Sequence, residues 1–266
     1  DVEDSDKTDQ SIENFKGEIE FRKLSFTYPN TNKLSLNNVE LKIPSGQILA
    51  IVGVIGSGKS TLAQLIPRLY EVVENTLFVG GHSIREIPLS ILRKNIGYVD
   101  QEPYLFSATI RENIIFGKSE ASNDDINDVV KKSGLLADLN RFPKGLETIV
   151  GERGISLSGG QIQRIAIARA LLINPTILVL DDAFSSLDAE TEDNILSNIR
   201  DFTHGATTIM VSHRLSAVCK ADRIILINDG RIIEDGTHSE LIGLNGDYAQ
   251  TYKNQSLAME MEITLQ

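Results

Sequence analysis

The sequence is short of several things. It holds one cysteine, Cys219, so no disulfide can form within the chain, and a reducing compartment is the simplest setting for it. No apolar run approaches the roughly 18–20 residues needed to span a bilayer, and no signal-peptide pattern opens the chain. Basic residues are outnumbered: 26 Lys and Arg against 37 Asp and Glu leave a formal charge of −11. That balance argues against a nucleic-acid partner, which needs a basic surface. It leaves a nucleotide site open, because such sites hold phosphate with a local loop rather than with net charge. The first residue is Asp1 and not Met, so the chain reads as a segment of something longer.

What is present suits an ordinary folded domain: 266 residues, 41% apolar and 24% charged, enough for one large domain or two small ones. Residues 1–16 are acidic and polar, which suits a disordered linker. Residues 254–266 lack a clear pattern and read as a tail. The folded domain is expected over 17–253.

Within it, Glu18–Leu24 and Val39–Ile43 alternate, as half-buried strands do. Ile48–Val52, Thr176–Leu180 and Thr207–Val211 are continuous apolar runs, expected of strands buried on both faces. Helices are expected over Thr61–Tyr70, Gln161–Leu172 and Asp188–Arg200. Ser122 with Asp125, and Thr237 with Glu240, fit capping boxes at two more helix starts. Ile224–Ile227, Asp229-Gly230 and Ile232-Ile233 read as a hairpin. Buried strands alternating with helices imply a parallel-sheet α/β core, and the early alternating strands add an antiparallel layer.

Gly53-Val54-Ile55-Gly56-Ser57-Gly58-Lys59-Ser60-Thr61 fits G-x-x-x-x-G-K-[ST] between a buried strand and a helix, the context that gives the pattern meaning. Glycines let the backbone wrap phosphate, and helix N-terminal amides face the anion. Lys59 adds a point charge at the β- and γ-phosphates, and the Ser60 hydroxyl suits Mg²⁺. The loop therefore points to Mg-ATP. A chance glycine-rich turn is the plainer alternative, but a random match in a chain this long has odds of roughly one in a hundred at average composition.

Ile177–Leu180 runs into Asp181-Asp182. An apolar strand ending in two carboxylates places Asp181 to hold the Mg²⁺ shell and Asp182 to face an attacking water; a strand end meeting solvent is the plainer reading. Leu157-Ser158-Gly159-Gly160-Gln161 opens a helix and makes a second anion cradle. One triphosphate does not need two cradles, so the second is expected to serve a nucleotide held by another copy.

With these motifs in order, the sequence resembles the ATP-binding-cassette (ABC) ATPases from about Gly17 to Lys253. The resemblance implies a phosphate-loop NTPase core with a mixed, mostly parallel sheet, an N-terminal antiparallel β subdomain and an inserted α-helical subdomain. It implies that Tyr28 stacks on adenine, a contact worth roughly 1–3 kcal/mol per base, where a core tyrosine at a strand end is the plainer reading. It implies that Gln101 touches Mg²⁺ and the attacking water, that His213 contacts the γ-phosphate, and that Ser185-Ser186-Leu187-Asp188 crosses a dimer interface. In the family two such domains sandwich two ATP molecules head to tail.

Gly151-Glu152-Arg153-Gly154 resembles a segment of exporters. So does Pro103-Tyr104-Leu105-Phe106-Ser107-Ala108-Thr109-Ile110-Arg111-Glu112-Asn113-Ile114, whose apolar residues are expected to receive a coupling helix of a transmembrane domain. The pattern looks most like bacterial half-transporters of the multidrug-resistance type, with the domain at the cytoplasmic face of the membrane. An importer subunit and a regulatory nucleotide-binding module are the competing readings. One departure matters: the family usually carries Glu where this chain has Asp182. Aspartate is one methylene shorter, and a misplacement of about 1 Å can cost on the order of 10²-fold in rate. This implies a slow site of the chain's own, whose intact signature completes a faster site on a different partner. The stretch Glu71–Gly81 also lacks the family's usual turn, and Ile162 replaces a commonly charged residue; nothing in the sequence explains either.

Overall fold

Two alternating segments at the start of the chain pair with each other. β1 (Ile19–Thr27) and β2 (Leu34–Ile43) run antiparallel. Their inward residues change parity partway, from Ile19 and Phe21 to Leu24 and Phe26, and from Leu36 to Val39 and Leu41. Each change falls beside a residue of positive φ, Lys23 at 48° and Asn38 at 53°, where the register shifts as in a bulge. With β4 (Leu77–Val79) and β5 (His82–Ser83) they form a sheet in the order β2-β1-β4-β5. The structure, a computed structural model, describes residues 2–151, 154–202 and 205–264.

The second sheet is the α/β core. Its strands are β3 (Ile48–Val52), β6 (Ile96–Val99), β7 (Ile177–Asp181), β8 (Thr207–Val211), β9 (Arg223–Asn228) and β10 (Arg231–Gly236). They lie in the order β10-β9-β3-β8-β7-β6, parallel except for the β9–β10 hairpin. The strands read from continuous apolar runs are buried on both faces, and alternate residues feed two separate cores. Ala50, Leu178, Leu180, Met210 and Leu226 face one; Leu49, Ile51, Val179, Ile209 and Ile225 face the other with the antiparallel sheet. Each of the leucine, isoleucine, valine and methionine side chains, when fully buried, contributes about 1.5–3 kcal/mol.

The helices are α1 (Lys59–Leu65), α2 (Leu89–Lys94), α3 (Ile110–Ile115), α4 (Asn123–Lys132), α5 (Leu136–Leu139), α6 (Gly159–Leu172), α7 (Ala189–Phe202), α8 (Leu215–Val218), α9 (His238–Leu244) and α10 (Asp247–Thr264). α3 to α5 form the inserted helical part between β6 and α6. α1 is shorter than the expected Thr61–Tyr70 helix: beyond Leu65 the chain turns, with Arg68 at φ 52°. Both expected capping boxes are present, at Ser122 and Thr237.

Two expectations about the ends are corrected. Residues 2–16 are not a loose linker: Ile12 and Phe15 are buried in the core beneath the antiparallel sheet. The Asp9 amide donates to the Glu86 carbonyl at 2.8 Å, and Asp4 Oδ1 accepts from the Leu89 amide at 2.9 Å. The acidic average of the stretch hides two apolar anchors. Residues 254–264, read as a patternless tail, continue α10. Of the exporter-like segment, Glu152 and Arg153 lie outside the described residues.

Candidate functional site

The phosphate loop leaves β3 at Gly53 and enters α1 at Lys59. Gly53 has φ 150°, and a Cβ there would stand 2.2 Å from the Ile227 carbonyl oxygen. Gly58, at φ 108°, would meet the Ser35 carbonyl at 2.6 Å. Only glycine fits at both positions. Val54 and Ile55 form the tip, 66% and 89% exposed. No side chain caps α1, so its first amides remain free for an anion.

The charged groups behind the loop are buried and under-satisfied. Lys59 is 4% exposed, and its only hydrogen bond among the described residues is to the Val54 carbonyl, at 2.8 Å. Burial pushes its pKa down, against the pull of Asp181 and Asp182. Ser57 Oγ is buried with no partner among the described residues. Asp181, 1% exposed, has no ion pair among them. It accepts from Ser60 Oγ at 2.9 Å on Oδ1 and from the Tyr98 hydroxyl at 3.3 Å on Oδ2. Burial raises its pKa, the Ser60 and Tyr98 hydrogen bonds lower it, and the Asp100 and Asp182 charges raise it further. A buried ammonium with spare donors fits a triphosphate. A buried, unpaired carboxylate beside a hydroxyl is a hard oxygen set that fits Mg²⁺.

Asp182 follows β7 and turns sharply, with φ 49°. Its amide donates to the Val211 carbonyl at 3.0 Å, which sets it beside the end of β8, where Ser212 and His213 begin. His213 is half-buried; burial lowers its pKa, the Lys59 charge lowers it further, and Asp182 opposes. Lys59, Asp181, Asp182 and His213, far apart in sequence, thus meet at the ends of adjacent parallel strands. Gln101 does not join them by a hydrogen bond: it is exposed in the loop after β6, and its side chain bonds to no described residue.

Tyr28 sits at the same end, half-buried. Its ring packs edge-on with Phe26 and Tyr70, at 5.1 and 5.0 Å between centroids. Its hydroxyl donates to Gln64 Oε1 at 3.1 Å and lies 3.0 Å from Thr61 Oγ1. These contacts hold the ring beside α1.

The signature is a separate place. Ser158 is the N-cap of α6 and forms a capping box with Gln161, so the S-x-x-Q spacing itself starts the helix. No hydrogen bond or ion pair among the described residues joins 157–161 to 53–61. A Cβ on Gly159 would meet Ser186 Oγ at 2.8 Å, so the cradle rests on the 185–188 loop. That loop is held from both sides. Gln163 Nε2 donates to Ser185 Oγ at 2.8 Å, and Arg214, next to His213, donates to the Leu187 and Ser185 carbonyls at 2.7 and 2.9 Å.

Two residues near the site have no motif. Tyr98 touches Asp181 as described. Gln255, on α10, accepts from the Leu215 amide at 3.0 Å and donates through Nε2 to the His213 carbonyl at 2.8 Å. It clamps the backbone on both sides of Arg214 and stands in for the missing side-chain cap of α8. Replacing Gln255 by leucine removes both bonds at similar volume. At about 1 kcal/mol for one bond, the Leu215 amide is expected to exchange its hydrogen roughly fivefold faster while the melting curve stays cooperative. Exchange mass spectrometry of peptides covering 212–218 checks it.

The segment after Gln101 divides. Ile110 and Ile114 are core, while Tyr104, 71% exposed, Phe106 and Phe116 face out. The Phe106 and Phe116 rings stack at 4.5 Å, with the Arg169 guanidinium about 6 Å from each.

A sequence profile of the family described as ABC transporter matches residues 36–185. The chain is 45% identical over 241 residues to the Bacillus subtilis "Probable multidrug resistance ABC transporter ATP-binding/permease protein YheI", covering 91% of this chain and 41% of that protein. It is 42% identical over 254 residues to the "ATP-dependent lipid A-core flippase" of Escherichia coli (strain K12), covering 95% and 44%. A solved bacterial Atm1-family ABC exporter with ATP bound superposes with a TM-score of 0.89 at 36% identity, covering 96% of this chain and 44% of the exporter. The chain spans about two fifths of the length of these relatives. With the phosphate loop, the paired carboxylates and the separate signature cradle all on this fold, the chain belongs to the ABC transporter family and has the sequence and fold of an exporter-type nucleotide-binding domain.

Proposed function

We propose that the chain is the ATP-hydrolysing motor domain of an ABC exporter, acting at the cytoplasmic face of a membrane and dimerising head to tail around two Mg-ATP. The observation that carries this is the separation of two cradles on one domain: a buried, under-satisfied cluster behind residues 53–61, and an exposed helix start at Ser158–Gln161 that serves no part of that cluster. A signature facing outward needs a triphosphate from another domain.

Within the site, Lys59 holds the β- and γ-phosphates, and the amides of Gly56–Thr61 wrap them. Ser60 and Asp181, with Gln101 from its exposed loop, would hold Mg²⁺, which would supply charge neutralisation for the phosphates. His213, kept neutral by burial and by Lys59, donates one hydrogen bond to the γ-phosphate. Asp182 orients the water as general base. The short reach of Asp182 supports a slow site here, with this chain's signature completing a faster one on a non-identical partner. The outward rings of Tyr104, Phe106 and Phe116 support docking of a coupling helix from a transmembrane domain.

Ser158→Asp tests the sandwich. Aspartate caps helices as well as serine does, so α6 is kept, but a carboxylate now faces the incoming γ-phosphate. ATP-dependent dimerisation, read by light scattering with Mg-ATP and with Mg-ADP, is expected to disappear while ATP binding by the single domain stays within about twofold, as no new charge reaches its own loop. A dimer that forms unchanged overturns the head-to-tail reading.

A further inference from the structure

Behind the site, side-chain hydrogen bonds lie on both the base side and the metal side. The Tyr28 hydroxyl donates to Gln64 Oε1 at 3.1 Å. The Tyr98 hydroxyl donates to Asp181 Oδ2 at 3.3 Å, and Ser60 occupies Oδ1 of the same carboxylate.

We propose that Tyr98 is a positioning residue for Asp181 that sets how tightly the nucleotide site holds Mg²⁺. The proposal rests on the reading of Asp181 as a magnesium carboxylate and extends it to a side chain that touches neither metal nor nucleotide. A carboxylate with one oxygen bonded to Ser60 and the other to Tyr98 is locked in plane and rotation, so a cation meets it without reordering. The tyrosine hydroxyl is a neutral donor at neutral pH, as any phenol is. Without the phenolic oxygen, Oδ2 is a buried acceptor with no protein donor, free to swing away from the position that suits the metal. Groups that orient metal ligands in this way typically account for 10–100-fold in metal affinity.

Tyr98→Phe removes one oxygen and keeps the ring. Binding of a fluorescent N-methylanthraniloyl ATP analogue to the full chain is measured in EDTA and across a Mg²⁺ titration. For Tyr98→Phe the Mg²⁺ concentration at half-effect is expected to rise about tenfold, with EDTA affinity within about twofold of wild type and melting temperature unchanged. A purely structural tyrosine would move metal-free binding or melting instead. An unmoved Mg²⁺ midpoint in Tyr98→Phe overturns the proposal. Should that variant melt early, the same midpoint taken below the onset of its melting decides by the same criterion. Asp181→Asn separates the two layers: if it also leaves the midpoint unmoved, the magnesium reading of Asp181 falls and takes the proposal with it.

Discussion

Asp182→Glu is expected to raise ATP turnover at this chain's own site by about 10²-fold. The effect follows from reach. One methylene moves the carboxylate by about 1 Å toward the water, and a displacement of that size changes rates on the order of 10²-fold, about 2.7 kcal/mol of barrier. Two opposing effects are smaller. Asp182 has φ 49°, a region where aspartate is better tolerated than glutamate, at a cost of about 1–2 kcal/mol in stability and not in rate. Charge is unchanged, since the two carboxylates have similar reference pKa values. Turnover is compared in the same assembly, wild type against Asp182→Glu, with the partner's site silenced. Unchanged or lower turnover removes the slow-site reading and leaves Asp182 as an ordinary base.

Lys59→Ala is expected to weaken ATP binding by roughly 30- to 4,000-fold, the range for truncating one partner of a desolvated charge pair at about 2–5 kcal/mol. The more discriminating expectation concerns the protein without nucleotide. Burial depresses the Lys59 pKa, which means its charged form is disfavoured in the folded state relative to the unfolded one. At neutral pH the amine is charged in both states, so it destabilises the empty domain; the penalty lifts only as pH rises above the folded pKa. Alanine removes it. Melting of Lys59→Ala alone is therefore expected at or above the wild-type temperature, while the rise that Mg-ATP gives the wild type is lost. A variant that melts lower but still responds to ATP contradicts both parts.

How much of this was legible in the sequence depended on whether the signal was local. The phosphate loop is nine consecutive residues between a buried strand and a helix, and each of its constraints is written next to the others. β3 and β8 match the continuous apolar runs at both ends because strands covered on both faces need no polar alternation. Tyr98 was not legible: its partner Asp181 is 83 residues away, and a tyrosine inside a strand has the pattern of a core residue. Gln255 was hidden for the same reason, reaching His213 across 42 residues from a helix whose sequence shows no apolar stripe. The leader misled because net charge is an average, and two anchors, Ile12 and Phe15, are enough to dock an otherwise acidic stretch. The signature was legible as an anion cradle but not as a capping box, although S-x-x-Q spells both. Its serine hydroxyl is engaged with the Gln161 amide.

The clamp from α10 to the His213 carbonyl makes the end of the chain a thermodynamic partner of the nucleotide. Linkage is reciprocal. If closing on a γ-phosphate shifts the His213 backbone, that shift is opposed or assisted by the helix, and any factor by which nucleotide loosens the helix is the factor by which loosening the helix changes nucleotide affinity. A ligand, protein or mutation that acts only on α10 would then register as an altered ATP dissociation constant, with no atom of the phosphate loop disturbed.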